Sequence, residues 1–382
     1  MARDARKRAL PSGAAAWRAT RTRLARAPPD TTLPSLNCAD TGHKSDYCVC
    51  DTAGGFEGDA SADMIDEAPD AQDARPHERI LEDLVGFGQG VTTGGATDLV
   101  VRVTTLADAG PGSLREAVSR PGPAWIRFDV SGVIELESVL EVTSDKTIDG
   151  RGADVTLTQN TLAVSNGAGN VIVMYMKLRD APDDLIRFYN GGTGMWVHHC
   201  DLSNGGDGAF DATEGVTNVT VSHTHIFDHD KTMLIGAGSD TGDGERMRWT
   251  GHHNWYEDCV QRLPALRMGR AHAFNNLYQW RGGTAFSVNI APGQMFVEHN
   301  IFNPQTPVGH KLVTQSEKRA AVKIRDNLEM PYPGDVIEYT EFEPETVSSP
   351  SDSYTYTPEP ANAALMAKIQ AEAGWKAVAF PE

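Results

Sequence analysis

The chain has 382 residues, a formal net charge of −18 and 40% apolar residues, enough for a sizeable core in one large domain or two ordinary ones. An acidic chain lacks the broad basic surface that neutralises nucleic-acid phosphates, and no apolar run approaches the ~18 residues of a membrane span. Glycine accounts for 37 residues, above the usual ~7%, as turn-rich β structure requires. An acidic protein acting on a polyanion would need a locally positive cleft.

Residues 1–83 differ from the rest. Met1 to Pro29 is rich in arginine and alanine and lacks the apolar stretch of a secretory signal. It is either a disordered basic extension or the product of a start site placed too far upstream. From Asp51 to Glu78 the chain is acidic and rich in small residues, a composition that reads as a linker. Cys38, Cys48 and Cys50 fall in this poorly structured region, and the cysteine spacing fits no zinc pattern. Cys200 and Cys259 read as small buried residues. A folded domain is expected over 84–382, beginning near Leu84 to Gly86.

Within that domain Ser113–Val118 (SLREAV) has short helical character and is placed to flank or cap the first coils. Thr147–Gly152 (TIDGRG) signals a turn. Short β-rich segments then recur: NVIVMYMKL, MWVHHCDL, NVTVSHTHIF, MRWTGHHNWY, AHAFNNLY, MFVEHNIF and VKIRDNLEM. Aligned on Lys177, Asp201, His225, Asn254, Asn276, Asn300 and Asn327, they step by 24, 24, 29, 22, 24 and 27 residues. A period in the low twenties without helical periodicity predicts a β-solenoid, best a parallel β-helix. The longer step contains GAGSDTGDGE, an expected loop insertion. Stacked asparagines are expected to bond along the axis and to take the left-handed conformation at coil corners. Ala361–Gly374 is the best C-terminal helix candidate, a suitable cover for the solenoid end.

Neighbouring coils lie about 4.8 Å apart, so equal offsets from the marker become neighbours. Asp207, Lys231 and Arg262 fall on consecutive coils, with Asp211 and Arg267 close by. Singly these are unremarkable: Asp207 could be a turn residue, Lys231 could pair with Asp230, and the arginines with Glu257 or Asp258. Together they predict a cleft of carboxylates beside cations. Carboxylates suit Ca²⁺, and the cations suit an anionic sugar polymer. With the uronate carboxylate neutralised, the adjacent C–H becomes more acidic, which favours β-elimination over hydrolysis.

At these residues the sequence resembles the pectate lyases of polysaccharide lyase family 1. The resemblance rests on TIDGRG, WVHHCDLSNGGDGAFD, VTVSHTHIFDHDKTMLIG and HHNWYEDCVQRLPALRMGRAHAFNN, among other stretches between about Gly86 and Glu329. It implies an all-β, right-handed single-stranded parallel β-helix that cleaves polygalacturonate by Ca²⁺-assisted β-elimination. Residue by residue it implies Arg262 as the base at C5, Lys231 and Arg267 as substrate-binding cations, and Asp207 and Asp211 as metal ligands. It also implies a secreted monomer. The family usually carries aspartate in a W-[IV]-D-H segment, taken as a calcium ligand; here that position is His198, a poor ligand for Ca²⁺. Asp183 and Asp184, one coil earlier, are the candidate substitutes, or a protonated His198 would supply positive charge itself. Because a guanidinium rarely loses its proton, an alkaline rate optimum is expected. The alternatives are a pectin lyase for methylated polymer and a non-catalytic β-helix that binds polyuronate.

Overall fold

The computed structural model describes residues 79–236, 246–288, 293–315 and 320–379. The expectations for residues 1–78, including Cys38, Cys48 and Cys50, and for most of the loop insertion lie outside these residues.

Nine coils each give one strand to each of three parallel sheets, and Val100–Val103 adds a tenth strand to the first. The first sheet has ten strands, from Val100–Val103 to Ala321–Arg325. The second runs through nine strands from Gly132–Glu135 to Leu328–Glu329, and the third through nine from Leu140–Glu141 to Ile337–Glu338. Alternate residues of each strand point inward, so Val171, Val173, Met195, Val197, Val219 and Val221 stack as fully buried columns. Cys200 and Cys259 are buried free thiols within this core. Ile80 and Leu84 pack outside the first sheet against Trp125, Ile172, Met174 and Trp196, so residues 79–83, expected in the poorly structured extension, belong to the folded domain because Ile80 finds an apolar surface to bury.

The corner between the first and second sheets differs from the expected alignment by one residue. Lys177, Asp201 and His225 do share a column, but it continues through Trp255, not Asn254. The asparagines sit one position earlier and point inward, since a one-residue shift turns a side chain to the other face. They form a ladder: Asn254 Nδ2 donates to Asn276 Oδ1 at 3.0 Å, Asn276 Nδ2 to Asn300 Oδ1 at 3.0 Å, and Asn300 Nδ2 to Asn327 Oδ1 at 3.1 Å. The left-handed conformation belongs to the preceding residue: Tyr175, His199, His223, His253, Asn275, His299 and Asp326 have φ between 49° and 55°.

The short helix Leu114–Ser119 is capped by Ser113 Oγ, which accepts from Glu116 N at 3.2 Å, and buries Leu114, Ala117 and Val118. The C-terminal helix Ala363–Glu372 does not cover the solenoid end. Its Leu365 and Ile369 pack with Leu277 and Ile301, against the flank of the second sheet. Beyond it the chain crosses the marker column. Trp375 N donates to Asp201 Oδ1 at 3.0 Å, and the Lys177 ammonium sits 3.6 Å from the Trp375 ring centroid. Gly374 has φ +86° there, and a Cβ would lie 2.3 Å from Asp201 Oδ1, so only glycine fits. The final strand of the first sheet is covered by an antiparallel bridge from Val322 to Phe342, which protects an exposed edge.

Candidate active site

The charged residues gather where chain leaves the second sheet and enters the third. Lys231 ends strand His225–Lys231 and pairs with Gln261, the last residue of Trp255–Gln261. Arg262 is the next residue on that coil. One coil earlier, Gly208 bridges to Lys231, which sets Asp207 beside it. Asp211 lies in strand Phe210–Ala212 and pairs with Arg187 of Ile186–Phe188. Arg267 follows Ala265–Leu266, the third-sheet strand paired with Leu234–Ile235. The parallel register therefore brings residues far apart in sequence onto one face.

The carboxylates come from two coils. Oxygens of Asp183, Asp184 and Asp207 lie within 4.8 Å of one another. Three like charges so close repel, and cations offset them. Arg187 Nε is 2.7 Å from Asp184 Oδ2, and its NH2 bonds Asp183. Asp184 is buried and its Oδ1 accepts from Gly208 N at 2.7 Å. Lys231 Nζ stands 3.0 Å from Asp207 Oδ1. That oxygen is nevertheless buried without a well-aligned hydrogen bond; the ammonium is close but not directed at it. Asp211 Oδ1 accepts from Leu234 N at 2.9 Å. Burial, then the charge of Asp184, pushes the Asp211 carboxyl up to about 7.

A Cβ at Gly208 would lie 2.3 Å from Asp211 Oδ1 and 2.9 Å from Asp184 Oδ1. Glycine thus leaves a gap between these two carboxylates. The donor set is entirely oxygen, which fits a hard cation such as Ca²⁺.

The two arginines are held differently. Arg262 has φ +60°, the only arginine with positive φ among the described residues. The other left-handed positions are mostly Asn, Asp and His, which tolerate it better. Its carbonyl accepts from Met233 N at 2.8 Å, and the cis Leu263–Pro264 bond follows. Its NH1 is 3.6 Å from Asp207 Oδ1. Arg267 Nε is buried without a hydrogen bond. Glu257 and Asp258 are engaged elsewhere, with His225 at 3.0 Å and Arg281 at 3.2 Å, so the bland pairing of the arginines does not form.

His198 is not part of this group, which corrects its assignment to a metal position beside Asp207 and Asp211. It ends the first-sheet strand Thr193–His198, with Trp196, His199, His223 and Ser222 around it. Nor does it supply positive charge: burial, reinforced by the neighbouring histidines, holds its imidazole well below the usual range and therefore neutral. Sequence reasoning treated Asp183 and Asp184 as substitutes and missed Arg187. The signal was there in PDDLIRF, where an arginine three and four residues beyond two aspartates sits one coil before Asp207.

A parallel β-solenoid with a carboxylate and cation face defines the class of protein, and the comparisons identify the family. The pectate lyase family model matches residues 134–377, and the chain belongs to that family. A protein of Arabidopsis thaliana named as probable pectate lyase 4 is 35% identical over 230 residues, 56% of this chain and 62% of that protein. One from Solanum lycopersicum, named as probable pectate lyase 18, is 32% identical over 271 residues, covering 62% and 66%. The chain spans a little under two thirds of the length of such relatives. Among solved structures, the cedar-pollen major allergen jun a 1 superposes with a TM-score of 0.69 at 25% identity, over 80% of this chain and 97% of that one. A Bacillus subtilis pectate lyase mutant has the same fold, with a TM-score of 0.63 at 19% identity over 77% and 97%. Among the described residues no helix is long and apolar enough to cross a membrane.

Proposed function

We propose that the chain is a pectate lyase that cleaves polygalacturonate by β-elimination, leaving a 4,5-unsaturated galacturonate end. The observation that supports this most strongly is the meeting of Asp183, Asp184 and Asp207 with Lys231 and Arg262 on one face. Lys231 and Arg267 receive uronate carboxylates, Lys231 as a point charge and Arg267 as a planar fork. Their positive charge stabilises the carbanion-like character that develops when the C5 proton leaves. Arg262, in its neutral guanidine form, takes that proton and becomes guanidinium; the C5–H electrons form the C4=C5 bond, and the C4–O bond breaks with its electron pair leaving on the oxygen, which takes a proton from water. Arg262 sits at a left-handed backbone position, with its side chain reaching to 3.6 Å from Asp207 Oδ1. Calcium bound by Asp183, Asp184, Asp207 and Asp211 would add positive charge against the substrate carboxylate.

A pectin lyase faces an esterified, neutral polymer and has no use for this density of charge, which favours pectate. The reading implies a secreted enzyme, since the polymer is extracellular, and a site complete within one chain. Ultraviolet absorbance of the unsaturated uronate tests it. Growth with polygalacturonate and calcium supports the reading. Growth only with methylated pectin makes it a pectin lyase, and binding without absorbance change makes it a binding module.

A further inference from the structure

Between the first-sheet corner and the chain that follows the C-terminal helix lies a cavity of about 330 Å³, lined by Asp83, Tyr175, His198, His199, His223 and Lys376 among others. Ring nitrogens of His198, His199 and His223 lie within 4.8 Å of one another. His199 Nδ1 and His223 Nδ1 are buried without hydrogen-bond partners, although buried polar atoms are nearly always paired. We infer that these three histidines form a binding site for a transition-metal dication of the zinc, nickel or copper class, separate from the carboxylate group of the active face.

The donor chemistry separates the two sites. Imidazole nitrogens prefer Zn²⁺, Ni²⁺ and Cu²⁺, whereas carboxylate oxygens prefer Ca²⁺ and Mg²⁺. The surroundings supply the second layer that metal-binding histidines need. His198 Nδ1 is 2.9 Å from Ser222 Oγ, which also accepts from Trp196 Nε1 at 2.8 Å. With Nδ1–H donated to that hydroxyl, the lone pair of His198 is on Nε2. The chain at Glu372 and Lys376 lines the cavity beside His199. A fourth ligand is available from water or from Asp83 or Glu372, which line the same cavity. Zn–N bonds of about 2.0–2.1 Å place tetrahedral ligand atoms about 3.3–3.4 Å apart, so the rings turn slightly to close on the ion. Lys376, on the cavity wall, and Arg151 oppose a cation and limit its affinity.

Packing alone accounts less well for this group. His199 and His223 stack in a column with Tyr175 and His253, at centroid distances of 4.7, 5.0 and 4.8 Å. A stack needs flat rings at the corner, and Tyr175 shows that a ring without nitrogen serves. It does not require two unpartnered nitrogens beside His198.

The full chain, stripped with chelator, is titrated with Zn²⁺ against a chromophoric competitor. The variants are His199→Asn, His223→Asn and the double change; Asn275 occupies the same left-handed corner on a later coil, so asparagine fits the backbone there. Asp184→Asn is the control on the active face. Wild type is expected to bind one equivalent at this site, with affinity falling at least 10-fold in each single variant, lost in the double variant and unchanged in Asp184→Asn. With Co²⁺ as the probe, the visible bands of a nitrogen-ligated ion disappear in the double variant. Failure of wild type to bind Zn²⁺, or equal binding by the double variant with melting intact, would overturn the assignment; equal binding would place the metal on ligands elsewhere in the chain.

Discussion

Lys231 Nζ stands 3.0 Å from Asp207 Oδ1, with the two residues on successive coils of one face. The contact ties the proposed substrate-binding cation to a carboxylate of the proposed calcium set, so the two proposed functions are coupled. Replacing Asp207 with Asn is expected to weaken calcium binding at least ~10-fold, about 1.4 kcal/mol or more, and to leave melting in calcium-free buffer nearly unchanged. Calorimetric titration of both proteins measures it, and equal calcium affinity would remove Asp207 from the set.

Asp211 adds a pH dependence. Its carboxyl is raised to about 7 by burial and by Asp184. In the metal-free protein its contribution to stability is present below the unfolded value of 3.8 and is lost as pH climbs toward 7. A protonated carboxyl is a poor ligand, so calcium binding must drive the proton off. Calcium affinity is therefore expected to rise as pH goes from about 6 to about 8, and the rise to flatten in Asp211→Asn. Parallel slopes for the two proteins would show that another group sets the dependence.

The corner histidines predict the opposite slope for the fold itself. Burial lowers His199 to about 4 and holds His198, His223 and His252 well below their ordinary value. Groups with depressed folded values contribute stability above the unfolded 6.5 and lose it as pH falls toward the folded value, about 1.4 kcal/mol per pH unit for each group. The melting temperature should fall steeply between about pH 6.5 and 4, and less steeply in His199→Asn. Thermal melts across that range, with identical slopes in both proteins, would contradict this.

The asparagine ladder makes a prediction about stability alone. Asn276 Oδ1 accepts from Asn254 N and Nδ2, and its Nδ2 donates to Asn300 Oδ1 and the Gly251 carbonyl. Asn276→Ala would strand several buried groups at roughly 1–3 kcal/mol each, a total of at least ~3 kcal/mol. Asn327, at the partly exposed end of the ladder, should cost less when replaced by Ala. Denaturant melts that rank the two the other way would show that the ladder does not stabilise the fold as its geometry implies.

The sequence carried the solenoid because its period is local: each coil repeats an apolar alternation and a corner. It also carried the meeting of Asp207, Lys231 and Arg262 on one face, whose offsets survive small errors in register. The corner itself was misread by one residue at Asn254. An inward ladder and an outward column both recur at the coil period, and only the pairing of His225 with Trp255 separates them. His198 was misplaced for a related reason. A motif fixes position along the chain, but which side of the solenoid a residue faces depends on its sheet, and His198 ends the first sheet while the carboxylates flank the third. Arg187 was missed because a charge on a strand reads as a solvated face until the neighbouring coil brings Asp211 beside it.

In the proposed reaction Arg262 removes the C5 proton of a uronate held on this face. Its most direct test is Arg262→Asn, because asparagine suits the left-handed backbone at φ +60° and removes the guanidinium. Wild type, with polygalacturonate and calcium, is expected to generate unsaturated-uronate absorbance that increases toward alkaline pH. The variant is expected to melt within a few degrees of wild type and to lose about 10²–10⁴-fold in rate, the usual worth of a positioned base. A variant that retains wild-type absorbance growth, or a wild type that releases reducing ends without absorbance and works best near pH 5, would contradict it.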